Sequence, residues 1–292
     1  MKKYMIIRRN GNHLGLFSYV ITNMGAINYA LKNNMIPIID MMNVQNMYLE
    51  EKDVSKKNAW EFYFEQPCNI GLGDVNIDDC LISEKVFRNR PSDSMRFFMN
   101  KKKNNYWKEL SCKYLRLKPE VKRIIDNYQK QYFKSKDKIV GVLCRGTDYI
   151  NLKPFRHPVQ PSISEMFNKI DEVIKNYKCN KVFLATEDEQ VLNQFKQKYK
   201  NKLIYHNQQR YSHTQKEFLA YVSSERENDR FLRGLEYLTS IVLLSRCNCF
   251  VGGVTSGTVG VELFNPQYEY KYFFNEGRYG MPKFFKYYYK QK

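Results

Sequence analysis

The 292-residue chain contains no run of about 18 apolar residues, so nothing in it reads as a bilayer-spanning helix. Its opening, MKKYMIIRRNGN, has too short an apolar stretch for a signal peptide. A soluble, cytoplasmic protein is expected, and peripheral contact with an inner membrane face stays open. The seven cysteines form no C-x-x-C pair, and Cys144, Cys179, Cys247 and Cys249 lie in or beside apolar segments. That pattern argues for reduced, buried thiols rather than a disulfide frame or a zinc site. There is no G-x-G-x-x-G fingerprint, no D-x-D metal motif, no internal repeat and no low-complexity linker. Acid is also scarce, with 30 Asp+Glu against 48 Lys+Arg and a formal charge of +18.

A positive field favours anionic partners such as phosphorylated small molecules, an acidic bilayer face or nucleic acid. Lysine-rich background usage gives the same excess. Only KKKNN at 101–105 forms a short basic run, and no nucleic-acid-binding module accompanies it. Nucleic acid is therefore not expected as a partner. A hydrophobic fraction of 43% is enough for real cores, and the length allows two domains.

Along the chain, apolar runs of strand length alternate with amphipathic segments. KYMIIRR reads as a strand, NGNHLG as a loop and LFSYVITNMGAINYALKNN as a helix with apolar residues near i, i+3, i+4 and i+7. MIPIID reads as a buried parallel strand ending at Asp40. Residues 41–110 read as irregular. There NAWEFYFEQP is the densest aromatic patch, more a packing knot than a sugar platform, with Trp60 and Glu61 as acceptor-side candidates beside Asp40. KPEVKRIIDNYQKQYF then reads as a helix with Pro119 in its first turn. KIVGVLC, KVFLATED, KLIYHN and CFVGG read as strands. Helices beginning near Pro161 and Glu189, at Phe231 and after the Gly/Ser/Thr loop follow them.

Such alternation predicts an α/β protein with two Rossmann-like blocks of parallel sheet facing across a cleft. The first would span 1–130 on an acceptor side and the second 131–275 on a nucleotide-binding side. An aromatic, basic tail at 276–292 would pack back on the body.

Ligands in open α/β sheets bind beyond the carboxyl ends of the strands. Three such ends carry suggestive residues: Arg145-Gly146-Thr147-Asp148-Tyr149, then Thr186-Glu187-Asp188, then Thr255-Ser256-Gly257-Thr258. The Arg145 guanidinium suits a phosphate and stays charged at any working pH. Hydroxyls and N–H groups of 255–258 would open a helix, whose N-terminal dipole favours an anion. Glu187 and Asp188 could accept from ribose or base donors, or could simply cap a helix. His157 lies on the loop leaving the arginine, where a structural histidine is the plainer reading.

VGVLCRGTDY, then HP, KVFLATED and LRGLEYLTSIVLLSRCNCFVGGVTSGTVG resemble, in order and spacing, the three motifs of GDP-fucose-dependent fucosyltransferases. That group holds the α-1,2 and α-1,6 enzymes, the rhizobial nodulation enzymes and the protein O-fucosyltransferases. The N-terminal NGNHLG loop with its helix is similar to the group's first loop. The resemblance covers roughly 5–40 and 138–264. It implies a GT-B fold, and inverting, metal-independent transfer of fucose from GDP-fucose to a glycan or lipid-linked glycan in surface polysaccharide assembly. No cofactor is implied beyond that donor. It implies Arg145 on the donor β-phosphate, Asp148 beside it, Glu187 and Asp188 on guanosine, Ser256 on phosphate, and His13 and Gly15 near the pyrophosphate. Gly146, Thr147, Tyr149, His157, Thr255, Gly257 and Thr258 share those motif loops and are donor-site candidates.

The chain departs from the group at three places. Gly146 stands where many members carry a second arginine. Lys153 stands where the α-1,6 enzymes place an acceptor-activating glutamate, and Ser240 stands near an aspartate of their long helix. The general base is therefore not carried over, and Asp148 and Glu61 are its candidates. Rival readings are another nucleotide-sugar donor on the same fold, or a non-catalytic sugar-binding module.

Overall fold

A computed structural model describes residues 3–212, 222 and 224–282, and of Thr147, Asp148 and Tyr149 the backbone alone. Apolar strand runs and helices pair as the alternation predicts. Strand β1 (Lys3–Ile7), helix α1 (Leu16–Lys32) and strand β2 (Met35–Ile39) form one parallel crossover, and β3 (Leu81–Ser83) pairs on the other side of β1. This sheet has the order β2-β1-β3 and is parallel throughout. Helices α2 (Met95–Met99), α3 (Lys101–Tyr114) and α4 (Pro119–Tyr132) lead to the second block.

The second block contains β4 (Ile139–Leu143), α5 (Thr147–Leu152), α6 (Ile163–Tyr177), β5 (Lys181–Ala185) and α7 (Glu189–Tyr199). It continues with β6 (Leu203–Tyr205), α8 (Asp229–Ser245), β7 (Cys249–Gly253), α9 (Ser256–Leu263) and β8 (Tyr270–Phe274). Its five strands run parallel in the order β6-β5-β4-β7-β8. The chain moves outward from β4 through β5 and β6, then returns to β7. The loops after β4 and β7 therefore diverge and leave a crevice at that switch point.

Elements β3, α2, α3, α5 and β8 answer to no sequence expectation. Only Asn104, Trp107 and Ser111 of α3 are buried, so it carries no apolar stripe to read. β8 is an edge strand whose inner residues Phe273 and Phe274 alone are buried. Helix α1, read as amphipathic, is instead buried on nearly all faces. One side lies on the first sheet. Phe17, near the other end, meets Tyr237 and Phe264 edge-on at 5.5 and 6.4 Å, with its ring where a Cβ on Gly260 would lie.

The two blocks share one continuous apolar core. Tyr63 Oη donates to the Phe231 carbonyl at 2.9 Å, and Ser111 Oγ to the Leu263 carbonyl at 2.5 Å. Buried Glu262 lies between Lys108 (3.2 Å) and Lys271 (2.8 Å), a charge-paired tie across the blocks. All seven cysteines are free thiols, and the four expected in the core are buried. Among the described residues no helix is long and apolar enough to cross a membrane.

Candidate active site

The second sheet aims Arg145 into the crevice because β4 ends two residues earlier, at Leu143, and the residue between is held by a Cys144 N–H to Ala185 carbonyl bond of 3.1 Å. The guanidinium is mostly buried, at 15% side-chain exposure, which strengthens its field relative to a surface arginine. Glu187, at the end of β5, sets its orientation. One carboxylate oxygen of Glu187 accepts the Gly146 N–H at 2.9 Å and sits 3.4 Å from Arg145 Nε.

Two helices point their N-termini at the same space. Gly15 is the N-cap of α1, and a Cβ built on it would meet nothing, so the approach to that helix end is open. Tyr19 Oη holds the preceding loop by donating to the Gly11 carbonyl at 2.6 Å. At α9, Thr255 is the N-cap and accepts the Thr258 N–H at 3.1 Å, while Thr258 Oγ1 donates to the Gly253 carbonyl at 2.5 Å. Those hydroxyls serve the turn itself. Ser256 and Gly257, whose first-turn N–H groups take no part in this cap bond, line the crevice. Neither helix has an acid in its first turn to repel an anion.

His13, Gly15, Arg145, His157, Glu187, Thr255, Ser256 and Gly257 all line one cavity of about 410 Å³. Gly146 is no part of that wall, its N–H being taken by Glu187. His157 is exposed on the rim, its carbonyl accepting from Tyr279 N at 3.0 Å. Asp148, Thr147 and Tyr149 have side chains outside the described residues.

The remaining candidates do not reach the cavity. Asp188 is fully buried and N-caps α7, accepting the Val191 N–H at 3.0 Å, so it is a structural acid rather than a base-contacting one. Thr258 is buried within its own turn. Trp60 is 0% exposed, packs on Phe64 and donates Nε1–H to the Glu65 carbonyl at 3.1 Å. It belongs to the core and offers no face to a sugar. Asp40 is equally buried, paired with Arg8 at 2.7 Å while accepting the N–H groups of Met42 and Asn43. Glu61 accepts from the Gln66 side chain at 2.8 Å and is no part of the cavity wall, which removes it as a base at this site. Lys153 is exposed at the left-handed residue ending α5, also off the wall.

The far wall consists of residues that no strand-end motif marks. Gln208, Gln209 and Tyr211 come from the segment after β6, and Arg233, Glu236 and Tyr237 from α8. Their i, i+3, i+4 spacing in LRGLEY was a legible sign of one shared polar face at the start of an apolar helix. Gln208 is fixed by Ser240 Oγ (2.9 Å) and the Thr186 carbonyl (3.1 Å). Glu236 receives a forked ion pair from Arg226 at 2.5 and 3.0 Å. Tyr237 lies across the start of α9 and occupies the place a Cβ at Gly257 would need. Burial raises the Tyr211 hydroxyl above its ordinary pKa, so it stays protonated as a donor. Among the described residues no group of three His, Cys, Asp or Glu is placed to hold a metal.

Two parallel sheets with a crevice that gathers Arg145, Arg233 and two helix N-termini form the layout of a two-block α/β ligand-binding fold. Residues 93–269 match the family of alpha-(1,6)-fucosyltransferase N- and catalytic domains, and the chain belongs to it. It is accordingly a glycosyltransferase. Three solved structures share the fold over most of their length. The fucosyltransferase NodZ from Bradyrhizobium is 17% identical with a TM-score of 0.54, covering 90% of this chain and 94% of that one. POFUT1 in complex with GDP-fucose is 11% identical with a TM-score of 0.52, covering 96% and 99%. A mutant of Arabidopsis thaliana FUT1 in complex with GDP is 10% identical with a TM-score of 0.52, covering 94% and 70%. No curated protein sequence matches the chain. The fold is thus the GT-B arrangement expected from the motifs.

Proposed function

We propose that the protein transfers fucose from GDP-fucose to a glycan acceptor, inverting the sugar carbon and using no divalent metal, during surface polysaccharide assembly in the cytoplasm. On this reading 1–130 is the acceptor half, 131–275 the donor half and 276–292 an appended tail. The observation that supports it most is the meeting of Arg145 with the N-termini of α1 and α9 in one cavity.

The diphosphate would lie between the Arg145 guanidinium and the Ser256 and Gly257 N–H groups, with the base toward Gln208, Tyr211 and Glu236. An acceptor oxygen attacks the sugar carbon as its bond to the β-phosphate oxygen breaks, and the electron pair leaves on GDP. Attack opposite the leaving group in one displacement inverts that carbon. The departing diphosphate gains negative charge, which a preorganised cation and aligned N–H groups stabilise more than they stabilise the bound donor. The acceptor proton passes to a base. Glu187, committed to Arg145 and Gly146, orients the arginine in this scheme rather than reading guanosine.

Thermal shift with GDP, UDP, CMP and TDP, followed by transfer assays with and without EDTA, tests the reading. GDP alone should stabilise the protein strongly, with transfer surviving the chelator. Stabilisation by UDP alone would replace the donor, and activity rescued only by Mn²⁺ would refute the metal-free scheme.

A further inference from the structure

A second cavity, of about 520 Å³, adjoins the first across a thin partition. His157 and Thr255 face the first cavity, whereas their chain neighbours Pro158 and Val254 face the second. Buried Gln160 holds the partition together, its amide donating to the carbonyls of Pro158 at 3.1 Å and Val254 at 3.4 Å. Gly253 leaves room for it, since a Cβ there would collide with the Gln160 side-chain oxygen. The segment after β8 braces the partition from outside, with Val159 N–H donating to the Gly277 carbonyl at 2.9 Å and Arg156 N–H to the Tyr279 carbonyl at 2.9 Å. Arg278 then crosses to the first block, donating to the Asp93 carbonyl at 2.6 Å and lying 3.2 Å from its carboxylate.

Position along the sheet edge gives this cavity a role. Glu187 and the Gln208–Tyr211 segment stand over β5 and β6, the phosphate-binding groups over β4 and β7, and the second cavity over β7 and β8. A nucleotide sugar with its base over β5–β6 and its diphosphate at Arg145 points its sugar toward β7–β8. The opposite wall of the second cavity comes from the first block, at 92–96 and Lys103. Charges in the wall nearly balance, with Asp93 and Glu276 against Arg96, Lys103 and Arg278, so no strong net field selects an ion. Ser94 and Asn275 add donors and acceptors over an apolar floor that includes Phe274.

Resting on the donor-site reading above, we infer that this cavity is the acceptor subsite and takes the uncharged, hydroxyl-rich end of a saccharide. The groove on the other side, between Gln45 and α8, adjoins the base end, and its arginines are already paired: Arg226 and Arg233 with Asp229, Arg230 with Glu50.

The test uses the full chain, a panel of tagged neutral di- to tetrasaccharides and their sialylated counterparts, with thermal shift by GDP measured separately without acceptor. At least one neutral saccharide should be fucosylated. Ser94→Trp, which fills the cavity, should cut that transfer by about tenfold or more while the GDP shift is kept. The milder Asn275→Ala should raise the KM for the saccharide about three- to tenfold, with the KM for GDP-fucose unchanged. The inference is overturned by wild-type transfer in Ser94→Trp, by transfer to sialylated saccharides only, or by no transfer to any panel member from an enzyme that binds GDP. It also fails if Gln45→Trp abolishes transfer and Ser94→Trp does not. A wild type that shows no GDP shift refutes the donor site itself, a result read before any acceptor is added.

Discussion

Replacing Gly146 by alanine should damage the site out of proportion to one methyl group. Gly146 has a negative φ (−120°), and the obstacle to a side chain there is space. An added Cβ would lie 2.6 Å from the Cβ and 2.7 Å from the Cγ of Asp188, against ordinary carbon contacts of about 3.5–4.0 Å. Something must move by roughly 1 Å. Asp188 is fully buried and caps α7, so its displacement weakens that cap, worth about 0.5–2 kcal/mol, and overpacks the site at about 1–3 kcal/mol. A loss of about 2–4 kcal/mol is expected. Transfer should fall further, because the same shift disturbs Glu187, whose oxygen holds both the Gly146 N–H and Arg145. Denaturant unfolding of Gly146→Ala, Asp188→Ala and the double variant measures this as a cycle. On the Asp188→Ala background, which removes the Cγ and carboxylate contacts but keeps the Cβ 2.6 Å away, the glycine substitution should cost less than in the wild type without becoming silent. Gly146→Ala within about 0.5 kcal/mol of wild type, or strictly additive losses, would refute the reasoning. For the same reason Gly146→Arg should lower transfer rather than raise it.

Arg145→Lys should lower turnover about 10²–10³-fold with little change in Tm, since a point charge replaces a fork of donors at the leaving phosphate; near-normal turnover would remove Arg145 from the scheme. Trp60→Ala should cost about 3–5 kcal/mol of stability, whereas Trp60→Phe should keep normal acceptor KM, and a raised KM in a stable Trp60→Phe would show a sugar contact instead. Burial holds His206 below its ordinary pKa of about 6.5, so the unfolded chain takes up that proton more readily than the folded one. Its contribution is intact above the unfolded value and falls as pH drops through it. His206→Gln should therefore flatten the Tm–pH profile on the acid side of about 6.5, and an unchanged slope would contradict the assignment.

Strands β1, β2, β4, β5 and β7 could be read directly from the chain because a parallel strand covered on both faces needs an unbroken apolar run. Arg145, Glu187, Gly15 and the Thr255–Gly257 turn could be read with them, since residues closing such runs emerge at the ligand-binding edge whatever the loops do. Local spacing therefore determined the α/β class, the edge where the cavity opens and the arginine in its wall. Tertiary structure alone decided that Glu187 faces the crevice while its neighbour Asp188 turns inward to a helix cap, and that Trp60 and Asp40 are interior. It alone brought α8 and the segment after β6 across to form the far wall, and set a second cavity behind Gln160. Asp40 with Arg8, Gln208 with Ser240 and Gln160 with Val254 meet across 32 to 94 positions, and a side chain's exposure is a property of its partners in space, which no local pattern encodes.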